Sequence, residues 1–457
     1  FQQQLEHPEF WNQSLLLKLN EPLQEATLNK ALFALSEHYD VLRSRFYYEN
    51  NDWQQEFLTS IPNDSEIITI IVQENDSLED SIIHISEQIQ NSFRLDQSPV
   101  WKLAYIECHT GSTIERRLLW ICHHLIIDGI SWRILISSLF NLYTQLEKGE
   151  APRLPSKTHS ANDWVELLQQ IDFESQRDYW QKQSISLPLL PMDMPDGKQS
   201  MRDQNTLTAT LKKELTKEWL DSVPSQYSIK SDELLIIALI QTMFKWCEHL
   251  QIQIMFESHG RDAHKLQQEN DIDLSDTVGW FTAMYPLIFD NKSINSNELG
   301  EILKSHKSIL RSVPDQGIGY GVLRWYNQNK SSKKSLNVLP SIRFNYFGQA
   351  DALFNDSANF TLASESTGSS RHPNNQQDVI FDINAFVIDG ELKIHWNYST
   401  TQYQRETIQM LLDNTLDELK GMINYCLGGQ HDGGLVSEDF PDMEIDNDEL
   451  ANMLDNL

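Results

Sequence analysis

A single hydrophobic core stops growing at roughly 250–300 residues. This chain runs to 457, so its apolar side chains must be divided between two domains or lobes. The supply is adequate, because 12 Trp, 14 Tyr and 19 Phe can fill sizeable cores. In the first part, strands and helices alternate. Ser14–Leu19, Val41–Tyr48, Glu66–Val72, Trp101–Cys108 and Arg117–His124 read as strands, and a long amphipathic helix follows over Ile130–Leu146. Thr27 is placed to cap a helix whose Leu28, Ala31, Leu32 and Leu35 share one face. Ala161–Trp180 looks helical, and the Pro-, Asp-, Gly- and Ser-rich stretch from Ser186 to Asn205 marks a composition shift. The pattern therefore predicts a first lobe over residues 1–180 and a second over 181–428. The second opens with a strand at Thr206–Leu211. Its helix from Asp232 is apolar almost all round over Leu234–Phe244, which requires burial on several sides. Ile252–Glu257 reads as a strand, Asp389-Gly390 joins two more as a hairpin, and a last helix covers Gln402–Tyr425.

Beyond Gly428 the chain carries Asp432, Glu438, Asp439, Asp442, Glu444, Asp446, Asp448, Glu449 and Asp455 without Lys or Arg. Residues 429–457 read as a solvated acidic tail or linker with a short helix near Glu449–Leu454. The formal charge of −30 repels phosphate backbones and anionic bilayers, which excludes nucleic-acid and membrane-surface partners. Cys108, Cys122, Cys247 and Cys426 are scattered through apolar runs, the pattern of reduced core residues in a cytoplasmic protein. The start at Phe1, without Met, suggests a piece of a longer polypeptide.

Two constellations could carry chemistry. In His123-His124-Leu125-Ile126-Ile127-Asp128-Gly129, adjacent strand residues face opposite ways, so one histidine can act as a base while the other anchors the turn. Two satisfied core histidines fit the same spacing. Asp128 can cap the following helix or pair with an arginine, Arg261 or Arg133. In Glu257-Ser258-His259-Gly260-Arg261-Asp262, Glu257 ends a strand on its less apolar face, where partial desolvation would raise its pKa toward that of a useful base. A surface glutamate is the plainer alternative. Thr277–Thr282, the Tyr320 loop Pro314–Gly321, and Arg343–Gln349, with Asn345 and Tyr346 on opposite faces, complete the set.

Together the order HHxxxDGxSW, SHGR, TVGWFT, GxGYG and FNYFGQ resembles the epimerization domains of non-ribosomal peptide synthetases, a branch of the condensation-domain superfamily. The resemblance implies an α/β (α+β) fold of two chloramphenicol-acetyltransferase-like lobes, a V-shaped pseudo-dimer with a central tunnel. A peptidyl carrier protein and neighbouring synthetase domains are the implied partners. The aminoacyl or peptidyl substrate would arrive on the carrier's phosphopantetheine arm, and the domain itself would bind no cofactor or metal. On this resemblance His124 and Glu257 are the catalytic pair, with His123, Asp128, Arg261, Tyr320, Asn345 and Tyr346 supporting. Ser258, Asp262 and Asp276 depart from the family's usual Gly, Glu and Arg. An amide-forming condensation domain and a silent, carrier-recruiting domain are the alternatives.

Overall fold

The computed structural model describes residues 5–62, 68–74, 77–110, 113–261, 264–291, 299–326, 336–349, 359–429, 433–440 and 449. The first half supplies β1 (Asn12–Leu19), the hairpin β2 (Ser44–Glu49) and β3 (Asp52–Phe57), then β4 (Ile68–Glu74), β5 (Trp101–Thr110) and β6 (Thr113–His123). The second supplies β7 (Gln204–Leu211), β8 (Gln251–Ser258), β9 (Ala283–Asp290), β10 (Ile342–Gln349), β11 (Phe360–Leu362), β12 (Phe381–Ile388) and β13 (Glu391–Ser399). One sheet has the order β11-β1-β6-β5-β4 and the other β7-β13-β12-β10-β8-β9.

Strand β6 is central in the first sheet, flanked by β1 and β5, and its run from Leu118 to Cys122 is buried throughout. Its period of two divides that run between two cores. Leu118, Trp120 and Cys122 meet the helices Glu25–His38 and Gly129–Glu147, while Leu119 and Ile121 meet Leu78–Asn91. In the second lobe the helix Ser231–Cys247 is buried at every position from Glu233 to Phe244, as its all-round apolar sequence requires. It packs with the helix Arg405–Leu427 in the core that backs the six-stranded sheet. The β12–β13 turn has positive φ at both Asp389 and Gly390, the twist-compatible two-residue hairpin.

Several local expectations shift. Thr27 lies inside the helix Glu25–His38, whose cap is Gln24. Asp40–Arg43 forms a 3₁₀ turn before β2, because the buried Arg43 guanidinium gathers the Asp40 carboxylate and the Ser36 and Glu37 carbonyls. Trp164, Phe173 and Trp180, N-terminal to the boundary expected near residue 180, pack into the second core. Conversely, β11 leaves the second half and pairs antiparallel with β1, Leu17 opposite Leu362 and Leu19 opposite Phe360. Phe360 stacks on Phe140 at 4.5 Å, and the buried Arg117 binds Glu365 beyond it. A strap thus ties the lobes together. The four cysteines are free and buried. Among the described residues no helix is long and apolar enough to cross a membrane.

Asp439 corrects the reading of a wholly solvated tail. Residues 433–440 dock on the second lobe, with Val436 2% exposed. The Lys307 side chain is fully buried and donates from Nζ to Asp439 Oδ2 (2.7 Å) and the Gly434 carbonyl (2.8 Å). Arg311 binds Asp439 as well and clasps Glu233 at 2.7 and 2.8 Å. A buried lysine must find an anion, and the tail supplies it. Most of the other acidic tail residues, the helix expected at 449–454 beyond Glu449, and Asp262 lie outside the described residues.

Burial alone would raise the Asp439 pKa, but the Lys307 hydrogen bond and the Lys307 and Arg311 charges hold it below the usual carboxylate range. Its stabilising contribution is therefore complete above the unfolded carboxylate pKa and is lost as pH falls through the lower folded value. Asp439→Asn leaves two buried cations undercompensated and should destabilise the chain by about 3 kcal/mol in denaturant titration at pH 7. A change below about 0.5 kcal/mol, the range of ordinary surface substitutions, would contradict this docking.

Candidate active site

Strand β6 ends at His123, and a one-turn 3₁₀ segment begins at the next residue, His124–Ile126, so the two histidines fall in different elements. His123 is 2% exposed. Its Nδ1 accepts the Leu125 N–H (3.2 Å), which leaves Nε2–H to donate to the Pro8 carbonyl (2.8 Å). Both nitrogens are thereby committed to holding the turn.

His124 is half-buried, and its tautomer follows from its neighbours. The Trp132 indole can only donate, and it donates to Gln13 Oε1 at 2.8 Å. The Gln13 amide therefore presents its NH₂ to His124 Nε2 at 3.1 Å. That nitrogen must accept, so the proton sits on Nδ1 and is donated to the Ile127 carbonyl at 3.0 Å. Gln13 thus fixes the tautomer of His124 and holds its Nε2 lone pair, which becomes a base once substrate displaces that amide. The imidazole lies 4.4 Å from the Trp280 ring and 5.7 Å, edge-on, from Trp11. Burial pushes the pKa of both His123 and His124 down to about 4, and the Arg371 charge adds to the effect at His124.

Glu257 sits near the end of β8. Parallel pairing of β8 with β10 sets Phe256 opposite Phe344, which brings the next residues, Glu257 and Asn345, side by side. Asn345 Nδ2 donates to Glu257 Oε2 at 2.7 Å. Arg343 Nε stands 3.6 Å from the other carboxylate oxygen, but its guanidinium is committed to Asp382 (2.9 and 3.0 Å) and Asp378 (2.8 Å). The Glu257 side chain is 20% exposed. Burial raises its pKa, opposed by Arg343 and reinforced by Asp382.

The segments that follow these two groups are joined by a buried lobe-to-lobe lock. Asp128 caps the helix Gly129–Glu147 through the Ser131 N–H (2.8 Å), accepts the Phe281 N–H (3.1 Å), and receives Arg261 Nη2 at 3.1 and 3.2 Å. Arg261, not Arg133, is its cation. Ser131 Oγ donates to the Gly279 carbonyl (2.9 Å). Gly260 has φ +67°, and a Cβ there would fall 1.7 Å from the Phe281 carbonyl oxygen, so only glycine fits this turn.

The remaining expected residues lie apart. Tyr320 is not presented by a flexible loop. It sits on the helical turn Ile318–Gly321, 1% exposed, and donates to the Leu336 carbonyl (3.1 Å) while accepting from Arg324. The close approach of Gly319 to Gln176 and Phe173 draws that turn inward. Tyr346 faces away from Asn345 and packs edge-on against Trp219 at 5.8 Å. Ser258 Oγ donates to the Gln316 carbonyl (2.9 Å). Exposed Asp276 lines a separate cavity of about 590 Å³ with Tyr39, Arg133 and Lys157, and neither His124 nor Glu257 lines it.

Sequence reasoning did not single out Gln13, Trp11, Arg371, Asp378 or Asp382. For Arg343 a signal existed, since it precedes Asn345 by two in a strand and so shares its face. Arg371 lies in an irregular Ser-rich strap, where no periodicity marks it.

Two lobes with mixed sheets, strapped by β11 and carrying a histidine turn and a strand-end glutamate, define a condensation-superfamily fold. Residues 1–443 match the family described as Condensation domain. The chain is 32% identical over 468 residues to one of the linear gramicidin synthase proteins of Brevibacillus parabrevis, covering all of this chain and 6% of that protein. It is 30% identical over 465 residues to surfactin synthase subunit 1 of Bacillus subtilis (strain 168), covering all of this chain and 13% of that protein. The chain therefore spans a small part of the length of the curated relatives it matches. Among solved structures it is similar to the epimerization domain from the third module of tyrocidine synthetase B. That match has a TM-score of 0.83 and 29% identity, over 93% of this chain and 94% of the other. The chain belongs to the condensation-domain family. It is a domain of the kind built into non-ribosomal peptide synthetases.

Because burial lowers both imidazole pKa values, His123 and His124 should stay neutral at pH 7. Imidazole ¹⁵N NMR shifts should show each ring beginning to titrate only below about pH 5. Titration of either ring near pH 6.5 would contradict the hydrogen-bond assignments.

Proposed function

We propose that this domain is an isomerase that inverts the α-carbon of an aminoacyl or peptidyl residue. The residue is carried as a thioester on the phosphopantetheine arm of a peptidyl carrier protein, itself flanked by other synthetase domains. The domain contributes acid/base groups and no cofactor. A thioester carbonyl acidifies the adjacent Cα–H, because the carbanion's charge delocalises onto oxygen as an enolate. Inversion then needs one group to remove the proton and a second to return one to the opposite face.

The observation that carries this reading is Glu257. It ends a strand partly buried, with its carboxylate held by Asn345 and its pKa raised by burial. Joining two carrier-bound substrates by an amide needs a histidine but gives this second group no task. His124 supplies the other acid/base position, its Nε2 free of a proton. Asp128 and Arg261 hold the two lobes in register and do not touch substrate in this scheme. The 29% identity and shared fold with an epimerization domain support the same reading.

The test is deuterium uptake at Cα from heavy water, with chiral chromatography of the released residue. Carrier proteins loaded with L- and D-alanine, leucine and phenylalanine serve as substrates. The wild-type chain should interconvert at least one pair. Glu257→Gln, which keeps size but abolishes basicity, should slow inversion by about 10²-fold or more, and His124→Ala should do likewise. Near-wild-type inversion by Glu257→Gln would overturn the assignment, and a new amide in place of inversion would favour the condensation reading.

A further inference from the structure

The proposed reaction places negative charge on the thioester oxygen, and neither acid/base group supplies a cation to meet it. His124 is neutral near pH 7, and Glu257 is a carboxyl group. The strap between β11 and β12 brings a cation to this place. The Asn12 N–H donates to the Ser370 carbonyl (2.8 Å) and the His372 N–H to the Phe10 carbonyl (3.1 Å). Residues 370–372 therefore run antiparallel beside residues 10–12, with Arg371 opposite Trp11. The Trp11 carbonyl in turn accepts the His124 backbone N–H at 2.9 Å. The Arg371 guanidinium lies over the Trp11 ring, 4.8 Å from its centre, and the same ring meets the His124 imidazole edge-on.

On its other side, Arg371 Nη1 is 3.6 Å from Asp378 Oδ1, too far for a hydrogen bond. Asp378 is already bound to Arg343, the arginine that approaches Glu257. Arg371 thus stands between the histidine of one lobe and the glutamate of the other. It differs from Arg343 in a telling way. Arg343 is 5% exposed, and its donors are taken by Asp378 and Asp382. Arg371 is 20% exposed, and among the described residues its guanidinium makes no hydrogen bond. Its charge nevertheless reaches both reacting groups, adding to the lowered pKa of His124 and opposing the rise that burial causes at Glu257. A largely desolvated arginine walled by an indole, and making no hydrogen bond of its own among the described residues, is equipped for an oxyanion.

Resting on the epimerase reading, we propose that Arg371 is a catalytic residue whose guanidinium donates hydrogen bonds to the substrate's thioester oxygen as it becomes an enolate. One acid/base group takes the Cα proton, the C–H electron pair becomes the Cα=C bond, and the carbonyl π pair moves onto the oxygen beside Arg371. The other group, protonated at the outset, delivers its proton to the opposite face of Cα, the pairs return and the thioester is restored. With His124 Nε2 unprotonated, His124 is the base and the Glu257 carboxyl the donor, and the roles exchange on the way back. No oxidant, metal or further reactant enters the balance.

The test uses the whole chain and the carrier-bound thioester that the wild type exchanges fastest. R371M should lower Cα deuterium uptake from both enantiomers by about 10²-fold or more, as loss of an oxyanion donor does. The loss should fall on kcat, with KM for the loaded carrier within about twofold, since a transition-state interaction is removed. Arg371 is surrounded by Arg343, Asp378, Asp382 and Glu257. Removing its charge frees the His124 and Glu257 pKa values to rise, so the pH–rate profile of the residual exchange should move to higher pH. Folded R371M with exchange within threefold of wild type, or with the loss confined to KM, would overturn the assignment. If R371M fails to fold, R371K carries the test, because it keeps a charge but loses the planar fork. A fall of about tenfold in kcat supports the role, and wild-type exchange overturns it. A wild-type chain that exchanges no deuterium defeats the epimerase reading itself, whereas exchange undiminished in R371M defeats only this inference.

Discussion

The Asp128 carboxylate is 3% exposed, so it persists as an anion only where its lone pairs are met. Three parts of the chain meet them: the Ser131 N–H at the start of its own helix, the Phe281 N–H, and the Arg261 guanidinium. Arg261 then reaches the Leu274 and Thr277 carbonyls at 2.9 and 2.6 Å. The helix after the histidine turn is thereby locked to the segment after Glu257. Breaking one partner would leave a buried charge exposed to nothing but apolar wall, a loss of about 3–5 kcal/mol in comparable pairs. The position of His124 relative to the second lobe depends on this lock, and the strap that carries Arg371 closes the same arrangement from the other side.

Desolvation acts in opposite senses on the two acid/base groups. It destabilises the imidazolium of His124, lowering that pKa to about 4, and the carboxylate of Glu257, raising that one. Burial thus reverses the ordinary order of the two groups, in which an imidazole holds its proton more tightly than a carboxylate. In the proposed inversion each group must act as an acid in one direction and a base in the other. The hydrogen bonds add direction to this tuning. Trp132 and Gln13 dictate which nitrogen of His124 carries the proton, and the parallel β8–β10 register delivers Asn345 to Glu257.

The elements that alternate or repeat strictly were the legible ones. Strand β6 announces its central place by a continuous apolar run, the helix Ser231–Cys247 announces its burial by being apolar on all sides, and Asp389-Gly390 dictates its turn. The Asp128–Arg261 contact was also open to inference, since a carboxylate buried before a helix needs a cation and the arginine of the glycine turn, or Arg133, could supply it. What could not be read depends on three-dimensional return of the chain. The short strand β11 joins the far lobe with only three residues, too few to show a period, and Arg371 follows it through a stretch of Ser, Gly and Asn. The docking of Asp439 was hidden by its acidic neighbours, because the lysine that buries it lies on a distant amphipathic helix. Tyr320 misled for a related reason. Its glycines serve close packing of a helical turn against Gln176, Phe173 and Tyr285 and not mobility.

The central claim is that His124 and Glu257 flank one α-carbon. A crystal structure of the chain with a carrier bearing a non-hydrolysable amide analogue of the aminoacyl-phosphopantetheine arm tests it most directly. The account predicts the substrate Cα between the two side chains, with His124 Nε2 and a Glu257 carboxylate oxygen each roughly 3–3.5 Å from it on opposite faces. A bound arm whose Cα meets one of them while the other lies in a separate space, or both on the same face, would contradict it.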